Sequence, residues 1–337
     1  MPAMRHLGLV WIVSTLALAA CPPPQRGGNT TTGGGGGGVG GATASAAVDP
    51  DACGQINTSA AGHKVYAFLV ASAELDRAST ELEESVHEAC RKMALDLEIS
   101  PEGTTKELCA RASAELEANF QVSVKTEKRV VTRYTPAVCH TDVSVTAGFV
   151  AECEASAAAD ADVRCNGVCN GTCNGTCSTG GTGGQCAGTC DGRCSGQCEG
   201  YADVHASTEC QAAAEVHATT HTQCTEPKVQ VVMQDVTVVD ATKFQKATAA
   251  IADGLPQLLR TQKRVELATK ALEKWGETGG SLVASASGLL AQLGAKSLCV
   301  AGQISSLVDA SATIQARFTV SIEASAQVSA SAGASAQ

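Results

Sequence analysis

Hydrophobic positions recur with two different periods along this chain. Over residues 60–98, Leu75, Leu82, Val86, Ala89, Met93 and Leu97 fall three, four or seven apart, the spacing of one buried helix face. Ser100-Pro101-Glu102-Gly103 breaks the run. Thr104 and Glu107 then have the spacing of a capping box, opening a second helix over 104–120. From Val122 the period becomes two. Val122 and Val124, then Val143, Val145, Ala147 and Phe149, alternate with polar residues and predict strands. Alternation resumes from Tyr201 to about Val239. Helical spacing returns over 241–276, where Phe244, Ile251, Leu258, Val265 and Leu272 stand seven apart and Pro256 predicts a kink or a split. Shorter helices are expected at 281–293 and 296–309. Alternation from Ile314 to Val328 predicts a last strand.

Between the alternating stretches lies a C-x-G-x repeat over 165–198. Its cysteines are symmetric about a point between Gly181 and Thr182. The pairs 139/224, 153/210, 165/198, 169/194, 173/190 and 177/186 share one sum, 363. The inner pairs follow from the repeat itself, but the outer two share its centre independently. Pro136/Pro227 and the glycines 167/196, 171/192 and 175/188 do so as well. A constant sum is the property of an antiparallel hairpin. The apolar face also switches parity, from odd-numbered (Val143 to Cys153) to even-numbered (Ala202 to Val216), as an odd sum requires. This register would set Arg164 opposite Glu199 and Lys128 opposite Asp235. Cysteines four apart on one strand are about 13 Å apart, beyond disulfide reach, whereas opposed ones are within it. The six mirrored pairs are therefore expected as disulfides. Cys90 and Cys109 flank the 100–103 break and pair next, leaving Cys53 with Cys299 by elimination.

The expected fold is α+β. Residues 53–120 and 241–312 form a helical base. Residues 121–240 form a very long antiparallel hairpin, with a Cys-rich tip at 165–198 and cross-strand disulfides. Residues 313–337 add a C-terminal strand beside the base. An isolated two-stranded ribbon is marginal in water, so covalent ties replace the missing core. Fully extended, residues 143–181 would reach on the order of 130 Å.

Composition agrees with this sparse core. The 337 residues include 17 Cys and 34 Gly but only 2 Trp, 3 Tyr and 5 Phe. One large enzyme-like core is disfavoured. The net charge of −10 disfavours nucleic acid as a partner. The cysteine count points to an oxidising compartment.

The amino terminus supplies an address. Arg5 and His6 precede an apolar run over residues 7–20, too short for a permanent span, which ends in Leu18-Ala19-Ala20-Cys21. This resembles the lipobox of bacterial lipoproteins, over about twenty residues only. The resemblance implies removal of residues 1–20 as a signal peptide and acylation, palmitate included, at Cys21. Several acyl chains make such an anchor stable. Pro22, rather than Asp, follows the cysteine, which in enterobacterial lipoproteins leans towards the outer membrane. Residues 21–52 are rich in Pro and Gly and read as a tether.

Several constellations bear on chemistry. The eight tip cysteines could instead bind soft metals as thiolates. His140, Asp142 and His221 share the polar face of the expected hairpin and could hold zinc or copper. The expected register also sets Glu154 against Glu209 and Asp160 against Asp203, opposed carboxylates that calcium would bridge. No catalytic or nucleotide-binding motif stands in a strand-to-helix setting, and no cofactor is expected. The heptad spacing at 244–272 would suit either a buried face of the base or a homo-oligomer seam. The leading expectation is a non-enzymatic outer-membrane lipoprotein, on the periplasmic or the surface side. Its rigid arm would meet an envelope protein or a polysaccharide. The alternatives are an oligomeric membrane-active β-barrel and thiolate metal binding at the tip.

Overall fold

The computed structural model describes residues 48–123, 131–233, 237–284 and 288–336. Cys21, the expected signal segment, most of the expected tether, Lys128 and Asp235 lie outside these residues. The architecture is α+β, with long helices and an antiparallel, disulfide-braced sheet.

Helix α1 (Ala60–Asp96) opens at Ser59, whose side chain accepts the Gly62 N–H. Helix α2 (Thr105–Ser123) starts with the expected capping box. The Thr104 N–H donates to Glu107 and the Glu107 N–H to the Thr104 hydroxyl. The chain then forms strands β1 (Val131–Thr135) and β2 (Cys139–Asp142), helix α3 (Val143–Glu154), and strands β3 (Asp162–Cys177), β4 (Thr182–Gly188) and β5 (Cys190–His205). Helix α4 (Thr208–Thr220) and strands β6 (Gln223–Cys224) and β7 (Lys228–Val232) return it to the base. Helix α5 (Ala241–Ala284) runs through Pro256 without the expected split. A 3₁₀ turn (Leu290–Lys296), helix α6 (Ser297–Ser331) and strand β8 (Ala334–Ala336) complete the chain.

The long helices bury the apolar faces read from their spacing. Phe68 of α1 stacks on Trp275 of α5, ring centroids 5.9 Å apart, and the indole N–H donates to Ser72 at 2.7 Å. Gly254 lets α5 approach α1 closely, since a Cβ there would lie 2.2 Å from Met93. Helix α6, with the turn before it, is long and apolar enough to cross a membrane by length and composition. Its Val300, Ile304, Leu307, Ile314, Phe318 and Val328 are buried within the body.

Three segments expected as strands are helices. Residues 143–154 fold as α3, because Asp142 caps the Ser144 and Val145 N–H groups and Val143, Thr146, Val150 and Cys153 form one buried stripe. Residues 208–220 fold as α4, where an Ala-rich sequence favours helix. Residues 313–331 extend α6, and only Ala334–Ala336 are extended. That short strand does lie beside the base, parallel to β1 in the order β7-β1-β8. The 130 Å arm is thereby replaced by a shorter ribbon standing on two helices.

Candidate functional site

All eight expected disulfides are present: Cys53–Cys299, Cys90–Cys109, Cys139–Cys224, Cys153–Cys210, Cys165–Cys198, Cys169–Cys194, Cys173–Cys190 and Cys177–Cys186. At the base the backbone follows the mirror register, with Val131 opposite Val232 and Cys139 opposite Cys224. Cys153–Cys210 joins two helices rather than two strands.

In the ribbon, backbone register and disulfide register differ. Cys169 is the backbone partner of Cys198 yet bridges Cys194, and Cys198 bridges Cys165. Each ribbon bridge between β3 and β5 thus joins residues four positions out of backbone register, at Cα separations of 5.4–5.9 Å. On a flat ribbon that offset alone spans about 13 Å. The strands must therefore wind tightly about each other. The returning chain flanks β3 on both edges, as β5 on one side and β4 on the other. The cysteines lie inside this coil, all less than a tenth exposed.

Glycine makes the winding possible. The pairs facing across the strands are Gly167/Gly200, Gly171/Gly196 and Gly175/Gly192, not the mirror pairs expected from the sequence. A Cβ on Gly171 would sit 2.1 Å from the Ser195 carbonyl oxygen. On β5, Gly192, Gly196 and Gly200 adopt φ of +146°, +129° and +138°, a turn-inducing conformation repeated once per tetrad.

Where the ribbon meets α5, a cavity of about 360 Å³ opens between Val138, Asn166, Glu199 and Tyr201 on one side and Lys263 and Lys270 on the other. The Lys270 ammonium stands 5.6 Å from the centre of the Tyr201 ring. The Tyr201 hydroxyl donates to buried Glu215 at 2.7 Å, and Gln211 donates to the same carboxylate at 3.1 Å. Burial first, and then the Glu215 charge, push the Tyr201 hydroxyl well above its ordinary pKa, so it remains a neutral donor. Glu199 accepts from Asn170 at 2.7 Å, and His140 stands 4.0 Å away. The groove offers two ammonium groups, a carboxylate, an amide and an aromatic face, a set suited to a polar ligand. The sequence held a partial signal, since Glu199 and Tyr201 follow the last Cys-Gly tetrads. The helix that carries Lys263 and Lys270 was legible as a helix, but its place against the ribbon was not.

The opposed strands on which the expected calcium bridges rested are not formed: Glu154 and Glu209 lie on helices α3 and α4, and Asp160 precedes β3, outside its register with Asp203. Glu154 instead pairs with Lys64 at 2.9 Å and accepts the Ser207 N–H at 2.7 Å. Glu209 lies in the first turn of α4. Asp160 falls in a 3₁₀ turn, and Asp203 is the register partner of Arg164, displacing the expected Arg164/Glu199 pair. His140, Asp142 and His221 are not a set: Asp142 caps α3, His140 neighbours Glu199, and the His221 ring lies against His217. With all eight tip cysteines in disulfides, no thiolate donor remains there. Comparison with protein-family models, curated proteins and solved structures finds no match to this chain.

Proposed function

We propose that this chain is a non-enzymatic lipoprotein held in the outer membrane by acyl chains on Cys21, presenting the coiled ribbon and its basal groove to an envelope or cell-surface partner. The observation that carries this reading is the cysteine chemistry. Every cysteine downstream of Cys21 is paired, as an oxidising compartment requires, and Cys21 alone stands at the end of a lipobox-like segment. The ribbon supports a binding role, because its disulfide-filled interior leaves the side chains of alternate positions outward on a rigid mount. The Lys263, Lys270 and Tyr201 groove is the place for a polar ligand, of which a polysaccharide is the class best matched by mixed donors and an aromatic face.

The test is fractionation of the Cys21→Ala variant in the native host. Release from membranes or failure to mature is the expected outcome. Membrane retention after a salt wash overturns the anchor. Protease shaving of intact cells then separates a surface-exposed module from a periplasmic one.

A further inference from the structure

Helices α1 and α4 bring together three side chains that nothing in the ribbon or its groove uses. Glu74 of α1 faces His217 and His221, which stand one helical turn apart on α4, and one ligand atom from each lies within 4.8 Å of the others. Glu74 Oε2 is 3.1 Å from His217 Nδ1. The two imidazole centroids are 4.1 Å apart. Both Glu74 and His217 are largely buried, at 14 % side-chain exposure each, while His221 reaches solvent.

We infer that Glu74, His217 and His221 form a zinc site that pins the cysteine-rich insertion to the helical body. Two imidazoles and a carboxylate are a sufficient protein donor set for Zn²⁺, with water in the fourth position. The 3.1 Å between Glu74 and His217 is close to the spacing of two ligands on a tetrahedral zinc, about 3.3 Å when metal–ligand bonds are 2.0–2.1 Å. Zinc would take the place of the proton between them, and His217 would carry its proton on Nε2. The His221 Nδ1–H donates to the His217 carbonyl at 2.9 Å, which leaves the His221 Nε2 lone pair free to bind.

Supporting contacts hold this geometry before any metal arrives. Phe149 of α3 stacks on the His217 ring, centroids 4.4 Å apart. Thr220 donates to Glu74 at 3.5 Å and contacts His221 Nδ1 at 3.2 Å. Cys153–Cys210 ties the start of α4 to α3, and Cys139–Cys224 closes the chain four residues after Thr220. The imidazole pair therefore sits on a helix locked at both ends, which is the preorganisation a metal site needs.

Zinc titration of the purified, detergent-solubilised full mature chain, stripped with a chelator beforehand, tests this. We expect saturable binding of one Zn²⁺ and a rise in melting temperature that EDTA reverses. His221→Ala, an exposed position, should weaken binding at least tenfold while far-UV circular dichroism is unchanged. Glu74→Gln should weaken it similarly, and His205→Ala, outside the cluster, should bind as the parent does. Absence of saturable binding, or His221→Ala binding like the parent, overturns the site. Copper is not diagnostic, because Cu²⁺ binds such donors more tightly wherever they occur.

Discussion

In the helical body, Phe68, Trp275, Leu69, Leu75, Leu258 and Phe318 are almost wholly shielded from water. In the ribbon, over 162–205, the buried side chains are cysteine, alanine and valine, with one glycine backbone beside them. The body buries large apolar area, each such side chain contributing about 1.5–3 kcal/mol. The ribbon has no such area to bury. It compensates by restricting its unfolded chain with four bridges, each of which typically contributes about 2–4 kcal/mol. The same polypeptide thus reaches order by two routes. Their boundary falls at α3 and α4, where Cys153–Cys210 meets the aromatic-lined core.

The sharpest way to break this comparison is to disturb the ribbon's registers. Deleting residues 170–173 together with 190–193 removes one tetrad from each strand. It preserves both the backbone register and the four-residue offset of the bridges, so we expect native-like yield and a shorter ribbon. Deleting 170–173 alone leaves an odd cysteine and forces the outer bridges out of reach. Here we expect mixed disulfide dimers or loss of protein. Non-reducing peptide mapping reads the result, and a monomeric single deletion that keeps the seven remaining native bridges, with Cys190 as its one free thiol, would show that the offset is not required.

A second, smaller break is made in the body. Trp275→Ala removes the ring stacked on Phe68 and the indole N–H that donates to Ser72, whose hydroxyl keeps its bond to the Phe68 carbonyl, and should cost about 3–5 kcal/mol in denaturant unfolding. With a limiting amount of dithiothreitol under native conditions, the ribbon bridges should be reduced no faster than in the parent. Faster reduction of the ribbon bridges in this variant would show that the two regions are one cooperative unit.

The smallest effect concerns the seam between the two. Burial raises the Glu154 carboxyl, but hydrogen bonds from Ser207 and Lys64 outweigh it and hold its pKa below the ordinary value. The stabilisation this provides is complete above the unfolded carboxyl pKa, about 4.3, and is lost as pH falls through the lower folded value. Glu154→Gln should therefore destabilise the protein by about 1 kcal/mol or less at neutral pH and flatten this acid limb of the stability curve. An unchanged limb would remove Glu154 from the seam.

The helices of the base were legible because their buried positions are large and spaced at three and four, and because Thr104 and Glu107 cap locally. Residues 143–154 carry both signals at once. Val143, Val145, Ala147 and Phe149 alternate, while Val143, Thr146, Val150 and Cys153 follow a helical stripe. Alanine and serine in α4 and α6 are equally ambiguous, since they fit a pleated face and a helix face alike. Helices α4 and α6 pack on α1 and α5, and α3 packs on α1 and α4; that packing decided for helix. The carboxylate pairs failed with the strands that had placed them.

What the sequence by itself determined is the covalent framework. All eight bridges follow from cysteine spacing, because the shared sum of 363 pairs every cysteine from Cys139 to Cys224 and the rest follow by neighbourhood and elimination. It also determined the mirror register of β1 with β7 and of β2 with β6. Only the tertiary structure decided that the ribbon coils, because a disulfide constrains which residues meet but not which neighbours share backbone hydrogen bonds. The four-residue offset becomes available once facing glycines let the strands approach. Likewise only the packing of α4 on α1 brings Glu74, 143 positions away, against His217, since a contact between distant segments is recorded in no local period.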